Sequence, residues 1–83
     1  MLNKNKPYKL TDQEQATEAA REAMIVGEST ATLEFSPDSF NQGKIRQRVG
    51  HVCSVIRDML GENVFFVATI DHINHRVEIE IGG

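Results

Sequence analysis

Cys53, His51, His72 and His75 are the residues whose types could support nucleophilic or metal chemistry, and Lys44, Arg46 and Arg48 those that could hold an anion. A thiol becomes a nucleophile when a base or cation draws off its proton. His51 is two positions from Cys53, and residues two apart on a helix point about 200° from one another, which excludes His51 as the base for Cys53 within the chain. Cys53 also lies in the apolar run Val52-Cys53-Ser54-Val55-Ile56, the setting of a buried, inert thiol. Asp71, His72 and His75 fall within five residues and offer carboxylate and imidazole donors. A stable zinc site needs four ligands, or three and a water, and the remaining soft or imidazole donors are assigned to a helix. A solvated hairpin tip is therefore expected there, with no metal. Nothing in the chain calls for a cofactor, and an enzyme is not expected.

Lys44 and Arg48 stand four apart and share a helical side with Gln47 and His51, opposite the apolar stripe Ile45/Val49/Val52/Ile56. With Arg46 they form a candidate site for an anion, a nucleotide or nucleic acid. Charge is segregated along the chain: Asp12, Glu14, Glu18, Glu22 and Glu28 against Arg21 leave -4 over residues 11–28, while Lys44, Arg46, Arg48 and Arg57 against Asp58 leave +3 over 40–60. The favoured expectation is that these arginines pair with the acidic first helix or the last strand. A net charge of -3 argues against general nucleic-acid coating, which needs a basic excess.

These residues need elements to position them, and 83 residues allow one small domain. Residues 1–10 carry Lys4, Lys6 and Lys9, with Pro7 against an early helix, and are expected to form a flexible basic arm before a single domain over 11–83. Thr11-Asp12-Gln13-Glu14 has capping-box spacing, Ala16, Ala19, Ala20, Ala23 and Met24 share a helical face, and Gly27 is a natural stop. Because alanine buries little area, Met24, Ile25 and Val26 are expected to attach this helix, with its first half the less stable. Residues 29–35 alternate with period two, Ala31, Leu33 and Phe35 against Thr30, Thr32 and Glu34. Ser36 before Pro37, or Ser39 before Gln42, can start a helix, and a short leading turn entering a long central helix, which ends at Gly61, accommodates both. Gly43 reads as a break near its start, and Gly50 with Ser54 as a small-residue face for close approach of another helix.

Residues 64–70 are apolar on both sides, with Phe65 and Val67 on the face opposite Phe66, so this strand is central or at an interface. Asn74 is the expected left-handed residue of the following turn, and Val77, Ile79 and Ile81 then alternate with Arg76, Glu78 and Glu80. The order α-β-α-β-β implies an α+β two-layer sandwich with a three-stranded mixed sheet: the first two strands parallel through a crossover, the last two a C-terminal hairpin.

A small core without disulfides makes self-association an expectation, with Phe65, Val67, Gly50 and Ser54 as interface residues. The favoured function is a small non-catalytic binding or regulatory protein, an adaptor or inhibitor acting by protein–protein recognition as a homo-oligomer. Absence of an apolar leader and of any run of about 18 apolar residues suggests a cytoplasmic protein without a membrane partner. The ending Glu78-Ile79-Glu80-Ile81-Gly82-Gly83 resembles the tail of ubiquitin-like sulfur-carrier proteins. That resemblance implies a β-grasp fold opening with a hairpin before its helix, and a carrier role for the terminal Gly-Gly.

Overall fold

The computed structural model describes residues 10–82. The expected basic arm, apart from Leu10, and Gly83 lie outside those residues. The elements follow as α1 (Asp12–Val26), β1 (Glu28–Glu34), a 3-10 turn (Pro37–Ser39), α2 (Gln42–Leu60), β2 (Phe65–Asp71) and β3 (Arg76–Gly82). The α+β class, the order α-β-α-β-β and the C-terminal hairpin are as expected. No helix among the described residues is long and apolar enough to cross a membrane.

The mixed sheet is corrected. Strand order is β1-β3-β2 and both pairings are antiparallel. β1 and β2 do run in the same direction, but β3 folds back between them, so no parallel pair forms. The reason lies in side-chain chemistry. β3 has one continuous apolar face, Val77, Ile79 and Ile81, all buried, and its register sets them beside Leu33, Ala31 and Ser29 on one flank and Ile70, Ala68 and Phe66 on the other. The strand that completes the apolar face in both directions takes the centre, and β2 becomes an edge. The β-grasp opening implied by the Gly-Gly tail is also absent: among the described residues one helix and one strand precede α2.

α1 begins at the capping box. Thr11 Oγ1 accepts from the Glu14 amide at 3.1 Å and Glu14 Oε1 accepts from the Thr11 amide at 2.9 Å. It ends at Gly27, whose φ of 97° closes the last turn through a bond to the Ala23 carbonyl. Its contact face is the alanine stripe: Ala16, Ala19, Ala20 and Ala23 are buried, whereas Met24, Ile25 and Val26 are exposed, Ile25 to 84%. The expected anchoring by these three is thus overturned. Four small side chains seat the helix backbone close to β1 and α2, close enough for Ser29 Oγ to donate to the Ala19 carbonyl at 2.6 Å. Ile25 then points away and its neighbours flank the stripe.

α2 is capped by Asn41, whose side chain accepts from the Lys44 amide at 3.0 Å. The short leading turn is as expected, a 3-10 turn entered from Ser36 with Pro37 at its first position, but the cap of the long helix is Asn41 and not Ser39. Val52 and Ile56 are fully buried, and they join Leu33, Val77 and Ile79 as the largest side chains sealed from water.

The β2–β3 turn is organised by Asp71. Its Oδ1 accepts from the Ile73 and Asn74 amides at 3.1 Å and its Oδ2 from the Asn74 side chain at 2.9 Å. The left-handed residue is His75, at φ 55°, and not Asn74, whose amide and side chain both donate to Asp71. The Asn74 side chain, then the Asn74 and Ile73 amides and Arg76, hold the Asp71 carboxyl below its ordinary range. A carboxyl depressed on folding contributes stability above its unfolded value of about 3.9 and loses that contribution as pH falls through the lower folded value. An NMR titration should therefore place the Asp71 midpoint below that of an unstructured aspartate, with the Ile73 and Asn74 amides shifting in step. An ordinary midpoint would contradict this turn geometry.

Candidate functional site

The most distinctive surface is β2, and its character follows from the limited reach of the helices. α1 lies on β1, and α2 packs chiefly on α1, touching the sheet only lightly at β3. Among the described residues the helices leave the helix-side face of β2 largely uncovered beyond Phe66, whose ring is half-buried beneath the Arg57 guanidinium at 5.3 Å. Ala68 is exposed, and Ile70 is 44% exposed. On the outer face Phe65 is 61% and Val67 52% exposed. The register runs unbroken from Phe65 to Asp71, and the strand carries no Lys, Pro or Gly. Natural edge strands are usually protected by charges, prolines or bulges against pairing with another chain. β2 has none of these devices between Phe65 and Ile70.

The outer face is more polar toward β1. Across the three strands the rows read Glu28–Gly82–Phe65, Thr30–Glu80–Val67 and Thr32–Glu78–Thr69. Gly82 leaves room in the first row, and the Phe65 ring lies over it: a Cβ there would come within 3.3 Å of the ring tip. The end of the ring thus rests against the Gly82 backbone while most of the side chain stays open to solvent.

The four residues of the candidate anion site, Lys44, Arg46, Arg48 and His51, do not converge. Arg48 is drawn inward, its Nε and Nη2 donating to the two Asp12 oxygens at 2.8 and 2.7 Å, its Nη1 donating to the Glu34 carbonyl at 2.9 Å, and its guanidinium 4.3 Å from the Phe35 ring centre. Its pKa is raised above the ordinary arginine value, chiefly by that hydrogen-bonded Asp12 carboxylate. Lys44, Arg46 and His51 are exposed, and Arg46 points about 200° around the helix from Lys44.

Nor do the four expected interface residues share a surface. Phe65 and Val67 lie on the outer sheet face, while Gly50 and Ser54 are exposed on the side of α2 opposite Val52 and Ile56. A Cβ at Gly50 would meet nothing within 4 Å, so packing inside the chain does not require this glycine.

Cys53 is half-buried, and burial pushes its thiol above the usual range, against a weaker opposing pull from Arg57. That favours the unreactive thiol. His72 and His75 pack edge-on to the Phe40 ring, with centroids 5.7 and 5.2 Å away. Among the described residues no three His, Cys, Asp or Glu side chains come together as metal ligands. Gly82 is paired in the sheet with Glu28 and Phe65, so of the Gly-Gly pair only Gly83 lies beyond the described strand.

The membership of β2 in a two-faced apolar strand was legible from its alternation. Its position at an edge was not, since that depends on which strand takes the centre. No family model, curated protein or solved structure matches the chain.

Proposed function

We propose that this chain is a small protein-recognition module of the adaptor or regulator kind, and that it works as a homodimer joined through β2. The observation that carries the reading is an unprotected edge strand, uncharged from Phe65 to Ile70, with apolar side chains exposed on both faces. Adding a strand to such an edge satisfies its free amides and carbonyls and covers apolar area in one step. A second copy fits because the strand is self-complementary. An antiparallel pairing centred on Ala68 sets Phe66 opposite Ile70 and Val67 opposite Thr69 of the other copy. The two Asp71 carboxylates then sit at opposite ends, about 20 Å apart. Elsewhere two chains of net charge -3 repel, so an uncharged strand is where their approach costs least. The β1 edge is less suited, since α1 already covers its helix-side face.

Ala68→Lys tests this. Ala68 is exposed, so the substitution leaves the core intact, but on the two-fold axis it sets two ammonium groups directly opposite one another. In sedimentation velocity at micromolar concentration the wild type should run as a dimer. The variant should dissociate at least about tenfold more readily, with an unchanged far-UV circular dichroism spectrum. A monomeric wild type, or a variant that associates equally well, would overturn the reading.

A further inference from the structure

A groove of ≈ 690 Å³ opens on the outer sheet face, where Phe65, Val67, Glu28 and Glu80 meet Glu22 and Val26 at the end of α1. Its lining is mixed: the exposed apolar side chains Val26, Phe65 and Val67 lie among Ser29, Thr30 and three carboxylates. Glu22, Glu28 and Glu80 are exposed, and among the described residues none of them makes a hydrogen bond or ion pair and no Lys, Arg or His lines the groove. A cleft lined by charge of one sign concentrates the opposite charge in front of it. The nearest carboxylates are spaced by the sheet: Glu28 is opposite Gly82, two residues along β3 from Glu80, which makes the two glutamates a diagonal cross-strand pair roughly 7 to 8 Å apart. Alternate side chains of an extended peptide recur at about 6.8 Å. The Phe65 ring, its tip against Gly82, is 61% exposed beside them.

We infer that this groove binds an extended, cationic segment of another protein, with two Lys or Arg side chains at alternate positions on Glu28 and Glu80 and an aliphatic or aromatic side chain against Phe65 and Val67. The charge pattern selects this occupant: an acidic segment is repelled by three carboxylates, and an uncharged one leaves them unpaired. The proposal is independent of the dimer, because pairing at the β2 edge extends the sheet in its own plane and leaves its outer face open.

The test uses a capped Lys-Ser-Lys-Ser-Leu peptide, with Glu-Ser-Glu-Ser-Leu as the charge-reversed control and spermine as a cation without apolar side chains, titrated into the full chain and followed by NMR. The lysine peptide should give saturable shifts at Phe65, Val67 and Glu80, with affinity falling as salt rises. The E28Q/E80Q variant and Phe65→Ala should each weaken binding about tenfold or more. Ala68→Lys should bind as the wild type does, which separates failure of this proposal from failure of the dimer. Equal shifts from the glutamate peptide, saturation of the same residues by spermine with equal affinity, or undiminished binding by E28Q/E80Q would each overturn it.

Discussion

Replacing Arg48 by Ala should lower the unfolding free energy by about 2 to 3 kcal/mol, more than the loss of an ordinary surface ion pair. Three elements meet at this one side chain. Its fork holds both Asp12 oxygens at the start of α1, its third nitrogen holds the Glu34 carbonyl at the end of β1, and its face stacks on Phe35. The side chains of Arg48 and Asp12 retain only 29% and 21% of their exposure, so solvent screens the pair less than it would a fully exposed one. Bonds to charged groups contribute about 1.5 to 3 kcal/mol, and a cation over an aromatic ring about 0.5 to 1. The helix N-terminus still favours the Asp12 carboxylate after truncation, which moderates the total. Arg48→Lys should recover part of the loss, since a point charge can face Asp12 but cannot make the parallel pair and the carbonyl bond together. Urea unfolding of both variants measures this. A loss below about 0.5 kcal/mol for Arg48→Ala would show that the helices are held by apolar packing alone.

The pairing of Arg48 with Asp12 shows where reading the residues stops. The acidic first helix and basic central helix were evident, and so was the expectation that they pair, but the choice among four cations and five acids depends on how α1 lies across α2. Features set by near neighbours were readable: the Thr11 capping box, the Gly27 and Gly61 stops, and the alternation of β1, β2 and β3. Those set by close approach were not. Met24, Ile25 and Val26 are more hydrophobic than the alanines beside them, yet the alanines are buried because they let two backbones come together. Strand order was beyond reach for a similar reason. A right-handed crossover from β1 to β2 satisfies the connection rules whether the strands are adjacent or one apart, and the decision falls to how β3 fills the space between them.

That central position makes Ile79 the most consequential apolar residue to truncate. It is fully buried, and its directly opposite partners are both small, Ala31 on one strand and Ala68 on the other, so neither can fill the space it leaves. Ile79→Ala should cost about 3 to 4 kcal/mol, from lost burial plus a cavity that small flanking residues cannot close. A chain of this length has a total stability of about 4 to 12 kcal/mol, so the variant comes near to unfolding at room temperature. Its behaviour also bears on the β2 dimer. If folding and pairing are linked, each tenfold rise in protein concentration adds about 1.4 kcal/mol per dimer to the folded state, and the melting temperature of Ile79→Ala should climb with concentration. The same series on Ile79→Ala combined with Ala68→Lys should be flat. A loss under about 1.5 kcal/mol would mean that the sheet closes over the gap. A melting temperature independent of concentration in the single variant would leave the core argument standing and remove the dimer from the account of stability.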